Sequence, residues 1–267
     1  MHPLQDRVAV VTGATAGIGH ALVGEFTRLG AYCVANARRR ERLDELPKEF
    51  GEGSVCTVVG DCCEDAVVTR MLDVAKHSLG NPACEADLVV VNAGRGLSGS
   101  ALTSDPSQWE DMIRTNILGA AKLIREAGRR LLAEVEQEAK GKASFAAAAL
   151  ARPRDIVVLG STVGRHISPF SSMYGSTKFA VNSLAEAARR ELGPKGIRVT
   201  LIEPGFVETE FQAIAGYQPE WFAEVKGRIG PVLTAADVAR TIAFVVSQAS
   251  HVHLSDVLIR PTRQDYP

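Results

Sequence analysis

The sequence predicts an α/β protein: one doubly wound parallel sheet flanked by helices on both faces. Three observations predict it. Short Val-rich apolar runs alternate with segments of helical spacing along the whole chain. The links between them are short, as right-handed crossovers between parallel strands require. No linker, charge run or low-complexity block divides the 267 residues, a length that one α/β core can bury.

The elements follow in order. Residues 7–12 (RVAVVT) read as a fully buried strand stopped by Gly13. Residues 18–29 place Ile18, Leu22, Phe26 and Leu29 on one helical face, and Gly30 caps the end. Next come a strand at 32–37, a charged amphipathic helix at 39–50, a strand at 54–60, a helix at 65–79 and a strand at 87–91 (DLVVV). The second half repeats the rhythm. A long helical stretch runs from 109 to about 139, then a strand at 155–159, a helix at 172–192 and a strand at 198–202. A less regular segment at 208–227 carries Trp221 and Phe222. A helix at 234–248, with Thr234 as its N-cap, and a strand at 254–259 complete the chain. Residues 134–152 turn from acidic helix to an alanine-rich run and read as an insertion, either a surface excursion or a functional arm.

Composition excludes several classes. The chain is 46% hydrophobic and 23% charged, values of an ordinary globular protein rather than a collagen-like, coiled-coil or disordered one. Apolar stretches fall well short of the roughly 18 residues of a membrane span. The first seven residues show no basic start and apolar run, so no secretory signal is expected. With 30 basic against 31 acidic residues, neither nucleic acid nor an anionic membrane is expected as partner. Five cysteines without a framework spacing point to a reducing, cytoplasmic setting. Cys62 and Cys63 are too close in sequence for paired zinc ligands, and His251 and His253 have no third ligand nearby, so no metal is expected.

The chemistry begins at the turn Thr12-Gly13-Ala14-Thr15-Ala16-Gly17-Ile18-Gly19, between the first strand and first helix. A dinucleotide pyrophosphate meets a helix N-terminus at such a place. Gly13 makes the tight turn, Gly17 lets backbone approach phosphate, and Gly19 lets helix and strand pack closely. The residue after the second strand should set cofactor choice. Ala37 is followed by Arg38, Arg39 and Arg40, with no acid at the strand end. A guanidinium at Arg38 can grip a ribose 2′-phosphate, which favours NADP(H); the alternative is a basic first helical turn serving solubility. Asp61 ends the third strand and either accepts a bond from adenine or serves as an ordinary turn residue.

Tyr174 and Lys178 lie four apart, on one face of the helix after the fifth strand. A nearby ammonium favours phenolate, so Tyr174 is expected to have a lowered pKa and to exchange protons near neutral pH. Ser161, at the end of the fifth strand, can donate to a substrate oxygen or be a plain strand-end polar residue. Asn116 is a poor helix former inside the long helix; it either bends that helix and holds a water near Lys178, or faces solvent.

Together these residues resemble the classical short-chain dehydrogenase/reductases from about residue 6 to residue 263. The signatures, in the family's order, are the turn 12–19, Asp61, Asn92-Ala93-Gly94, the Asn116/Ser161/Tyr174/Lys178 tetrad, and Pro204-Gly205 leading to Thr209. The resemblance implies a single Rossmann-type domain over residues 1–267. It implies Tyr174 as general acid/base, Lys178 lowering its pKa and holding the nicotinamide ribose, Ser161 orienting the substrate oxygen and Asn116 supporting a proton-relay water. It further implies that Thr15, Ala16, Ile18, Arg39, Cys62, Asn92, Ala93, Gly94, Pro204, Gly205, Val207 and Thr209 line the cofactor. Within the family the chain is similar to the NADP-dependent 3-hydroxy acid and clavulanate dehydrogenase-like group, through TGATAGIG, Gly160-Ser161-Thr162, Ile202-Glu203-Pro204-Gly205 and the tail 251–264 (HVHLSDVLIRPTRQ). Val91 departs from the usual first Asn of N-N-A-G, and Ala16 lacks a basic residue some NADP users carry there.

These features imply an oxidoreductase moving a hydride between nicotinamide and a small-molecule carbonyl or secondary alcohol, with a 3-hydroxy acid or a secondary-metabolite ketone as substrate. A 3-oxoacyl thioester, polyketide or steroid is the alternative substrate, and a silent NADP-binding regulator the alternative function. Residues 206–230 are expected to form a substrate lid rich in aromatics, with Phe206, Phe211, Trp221, Glu208 and Arg165 reaching the pocket; Arg165 would pair with a substrate carboxylate or sit on the surface. A homodimer or homotetramer is expected, with the usual tetramer questioned by the 134–152 stretch.

Overall fold

The structure is a computed structural model that describes residues 2–78 and 84–266. Its strands, in chain order, are β1 (Val8–Thr12), β2 (Tyr32–Ala37), β3 (Val55–Val59), β4 (Leu88–Val91), β5 (Asp155–Leu159), β6 (Arg198–Pro204), β7 (Val207–Glu208), β8 (Leu233–Thr234) and β9 (Asp256–Ile259). Seven of them form one parallel sheet in the order β3-β2-β1-β4-β5-β6-β9, and β7 pairs with β8 apart from it. The strand order reverses direction between β1 and β4, which opens a crevice at their C-terminal ends.

The helices are α1 (Gly17–Arg28), α2 (Arg40–Phe50), α3 (Asp65–Ser78), α4 (Trp109–Ile113), α5 (Ala120–Ala139), α6 (Phe145–Ala149), α7 (Ser172–Leu192), α8 (Phe211–Ile214), α9 (Pro219–Ile229) and α10 (Ala235–Val246). The expected last residue of the third helix, Leu79, lies outside the described residues. Successive strand residues point to opposite faces, so each strand feeds two cores. Val8, Val10, Val89, Ile156 and Val158 pack with Met71, Leu123 and Val181 under α3, α5 and α7. Ala9, Val11, Val90, Val157 and Ile202 pack with Leu22, Leu43 and Ile242 under α1, α2 and α10. Burial on both faces is why these strands read as unbroken apolar runs. Each buried Val, Leu or Ile contributes about 1.5–3 kcal/mol.

At the N-terminal ends of the strands a buried ionic cluster fixes register. Arg7 Nε lies 3.1 Å from Asp87 and Arg7 Nη2 lies 2.7 Å from Asp155. Arg198 bonds both Asp155 oxygens at 2.8 Å, and Asp155 and Arg198 are register partners. Arg7 and Arg198 also donate to the Val246 carbonyl, tying the end of α10 to the same point.

Two local features differ from the sequence expectation, and a third adds detail to it. The long helical stretch is interrupted by a wide π turn at Arg114–Gly119, between α4 and α5. The irregular segment holds two helices, α8 and α9, the second opened by Pro219, whose fixed φ suits a first helical turn. The 134–152 stretch, expected as a surface excursion or a functional arm, is exposed from 140 to 147 and tied down at both ends. Ala148 and Ala149 are buried, Ser144 caps α6, and Glu134 and Glu138 hold Arg154, which has no exposure at all.

Candidate active site

One cavity of about 750 Å³ runs along the C-terminal ends of the strands, across the β1/β4 reversal. Its glycine end is built from the turn after β1. Gly13 and Gly17 adopt φ of +67° and +52°, the left-handed region that glycine enters without strain. Gly19 is a different case: a Cβ there would stand 2.3 Å from the Gly13 carbonyl oxygen and 2.6 Å from Asn92 Nδ2. Helix and strand meet at this point with no room for a side chain. Gly19→Ala is therefore expected to force the turn apart, at a cost of about 1–3 kcal/mol, and to weaken dinucleotide binding with it. A lowered Tm together with a raised NADPH Kd checks this; an unchanged Tm would refute the tight packing.

Asn92 laces the two central strands beyond their last pairs. Its Nδ2 donates to the Thr12 carbonyl at 2.7 Å, and Thr12 Oγ1 accepts from the backbone N–H groups of Asn92 and Ala93. The α1 N-terminus has Ala16 at its N-cap, no side-chain cap and no acid in its first turn. Its orphan N–H groups and the positive end of its dipole therefore suit an anion, and Thr15, Ala16, Gly17 and Ile18 line the cavity there. The donor set fits a pyrophosphate.

Beyond the turn, Asn36 closes the end of β2 by donating to the Val58 and Gly60 carbonyls. Arg38 is exposed and lines the cavity, as do Asp61 and Cys62. Arg39 also lines it, but its guanidinium donates to Thr15 Oγ1 and faces Glu210 at 3.7 Å. Burial pushes the Asp61 carboxyl up, but hydrogen bonds from Cys63 and the Arg114 ion pair outweigh it and hold the group below its ordinary range. The donor atoms of Asp61, Cys62 and Cys63 do converge within 4.8 Å of one another. Both Asp61 oxygens are already engaged, however, one by the Cys63 N–H and the other by Arg114.

At the opposite end of the cavity stand Ser161, Tyr174 and Lys178. Tyr174 and Lys178 occupy one face of α7, with Lys178 Nζ 5.9 Å from the Tyr174 ring centre. Lys178 Nζ donates to the Leu159 carbonyl at 2.6 Å, which fixes the side chain beneath β5. Ser161 caps the short turn Thr162–Gly164 after β5 and also meets the Tyr174 hydroxyl. Asn116 is buried inside the π turn rather than facing solvent. Its Oδ1 accepts from the Arg95 N–H at 2.7 Å, and its Nδ2 donates to the Arg95 carbonyl and to Thr177 Oγ1. Asn116 Oδ1 and Lys178 Nζ both border the small space over Gly94.

One electrostatic expectation is corrected here. Burial pushes the Tyr174 phenol above its ordinary value and the neighbouring Tyr217 adds to this; the Ser161 hydrogen bond opposes it. The shift is upward, not downward, because desolvation of a fully enclosed phenol exceeds the pull of an ammonium set back toward Leu159. Lys178 responds to the same burial and is pushed down to about 8.

The lid side is aromatic. Phe206, Phe211 and Trp221 line the cavity, joined by Tyr217, Phe170 and Ile214. Two expected pocket residues are elsewhere. Arg165 is bound to the fully buried Glu203 and to Asp256 at 2.7 Å, because a carboxylate enclosed at the end of β6 needs a cationic partner. Glu208 points outward and pairs with Lys226. The chain's tail enters the site in a way not read beforehand. Gln264 Oε1 accepts from the Phe206 N–H at 2.9 Å, and the amide packs where a Cβ on Gly205 would stand. The tail's likeness to one subgroup was its only sequence signal. Pro204, Gly205, Val207 and Thr209 line the cavity in succession, and Thr209 closes over Gly17.

The sequence and the fold resemble those of known proteins. A family model described as short chain dehydrogenase matches residues 7–218. An uncharacterized oxidoreductase of Staphylococcus saprophyticus is 30% identical over 264 residues, covering 98% of this chain and 100% of that one. One from Staphylococcus aureus strain MW2 is 27% identical over 261 residues, again covering 98% and 100%. A solved structure described as the closed form of serine dehydrogenase complexed with NADP+ superimposes with a TM-score of 0.82 at 30% identity, covering 97% of this chain and 96% of that one. Serine dehydrogenase from Escherichia coli gives 0.75 at 28% identity, with 97% and 100% covered.

Proposed function

The chain belongs to the short chain dehydrogenase family of oxidoreductases, and from that premise we propose that it is an NADP(H)-dependent enzyme interconverting a small-molecule ketone and a secondary alcohol. The observation that carries this reading is the single cavity with an uncapped helix N-terminus and Arg38 at one end and Ser161, Tyr174 and Lys178 at the other. Arg38 and the absence of an acid at the end of β2 support NADP(H) over NAD(H), as does the NADP+ in the serine dehydrogenase neighbour's description.

The nicotinamide cofactor, when bound, supplies or accepts the hydride. The chain does the rest. Tyr174 passes its phenolic proton to the carbonyl oxygen in reduction and takes it back in oxidation. Ser161 holds that oxygen in place. The Lys178 ammonium stabilises the phenolate left behind, and Asn116 pins the π turn beside Lys178, where a relay water would pass the proton outward. The aromatic lid excludes bulk water and strengthens these interactions.

The pH dependence follows from the two shifts. Tyr174 is pushed up and stays protonated through the working range. Lys178, at about 8, is an ammonium below that pH and loses its charge above it. Carbonyl reduction measured as kcat/KM should therefore fall as pH rises through about 8. In Lys178→Arg, whose guanidinium keeps its charge, the break should disappear even where overall activity is reduced. A pH–rate profile identical in both proteins would remove Lys178 from this role. The basic test of the reading is loss of reduced-nicotinamide absorbance with NADPH, purified protein and a carbonyl panel.

A 3-hydroxy acid is the substrate suggested by the serine dehydrogenase neighbours. It loses its expected anchor, because Arg165 is engaged by Glu203 and Asp256. The free cysteines support a cytoplasmic setting. The exposed Ile113, Leu118 and Phe179 support a homodimer or homotetramer. No helix among the described residues is long and apolar enough to cross a membrane.

A further inference from the structure

We propose that the substrate is a bulky, ring-bearing ketone without a carboxylate, bound flat against the aromatic lid; this rests on the reductase reading above. Tyr174 stands 5.6 Å from the Phe211 ring, so the wall beside the reacting oxygen is aromatic. Tyr217 and Trp221 stack at 5.2 Å and 18°, with Phe206 a further 6.1 Å from Trp221. All three line the lid side of the cavity.

The rim repeats the theme. Phe170 is 67% exposed and Ile214 57% exposed, both lining the cavity mouth. Apolar area left in water at a site's entrance is area that an apolar ligand covers with gain, at about 25 cal/mol per Å². Charge points the same way. The two arginines that line the cavity on this side already face an acid, Arg95 with Asp111 and Arg228 with Asp265, and Lys178 is turned to the Leu159 carbonyl beside Tyr174. A substrate carboxylate would compete with Asp111 or Asp265 for these guanidiniums, whereas a neutral ketone would not. One hydride to the carbonyl carbon, with NADPH as reductant, and one proton from Tyr174 to the oxygen convert it to the alcohol.

The test uses the full chain with NADPH and two readouts. The first is turnover of α-tetralone against acetoacetate, with L-serine and NADP+ for the reverse direction. The second is quenching of Trp221 fluorescence by α-tetralone, with Trp221→Phe as the blank for Trp109. We expect kcat/KM for α-tetralone at least ~100-fold above that for acetoacetate, of the order a pocket poorly matched in polarity imposes. We expect Trp221→Ala to lower the α-tetralone value ~10-fold or more while changing that for acetone less. Preferred turnover of acetoacetate or L-serine would overturn the substrate class and leave the reductase reading intact. Saturable quenching with no turnover of any carbonyl would support the ligand class and overturn the reductase reading. Neither quenching nor turnover with α-tetralone would overturn the proposal.

Discussion

Tyr174→Phe abolishes turnover, by about 10³-fold or more, and leaves NADPH affinity nearly unchanged. A positioned proton donor contributes typically ~10²–10⁴-fold, and the neighbouring phenol, Tyr217, is hydrogen-bonded to Ser171 rather than to Ser161. The substitution removes one oxygen. The ring keeps its contact with Phe211, and Lys178 keeps its bond to the Leu159 carbonyl, so the site stays folded. What is lost is the hydroxyl and its bond with Ser161, worth about 1 kcal/mol of stability. Steady-state rates with NADPH, set beside NADPH binding followed by protein-to-nicotinamide energy transfer, separate the two effects. A variant retaining a tenth of the activity would show that the proton comes from elsewhere.

Arg38→Asp reverses cofactor preference, changing the NADPH-to-NADH ratio of kcat/KM by about 10²–10³-fold. Two effects combine. Charge-assisted bonds to a 2′-phosphate contribute about 1.5–3 kcal/mol, and the new carboxylate both repels that phosphate and accepts from a ribose hydroxyl. Arg39 is poorly placed to take over, since its guanidinium is already shared between Thr15 and Glu210. Arg38 is exposed, so the exchange should leave stability within about 0.5 kcal/mol. Paired kinetics with both cofactors decide the matter, and a persistent NADPH preference would locate 2′-phosphate recognition in another residue.

The regular elements were legible wherever their signal was local. Residues 32–37, 155–159 and 172–192 fold with the bounds read from the sequence, because apolar runs and helical faces are written in consecutive residues. The cluster of Tyr174, Lys178 and Ser161 at one cavity wall was legible for a related reason: parallel strands bring their C-terminal ends together. Long-range pairing was not legible. Arg165 carries no mark that its partners are Glu203 and Asp256, and nothing near Gly205 announces Gln264. The π turn was half visible. An Asn in a helix is a weak signal, and only the bonds to Arg95 and Thr177 explain the local widening. The direction of the Tyr174 shift was misread because enclosure, which a sequence does not display, exceeds a charge one helical turn away.

The ionic cluster of Arg7, Asp87, Asp155 and Arg198 has a bearing on how such a chain diversifies. Removing one member of a buried set like this costs about 3–5 kcal/mol, so these four positions tolerate little change. None of them belongs to residues 206–230, and they sit at the opposite ends of the strands from the lid. Substitutions in the lid therefore draw on a separate reserve of tolerance. A lineage can retune which ketone it accepts by altering α8 and α9 while the strand register stays under the control of four residues that never meet the ligand.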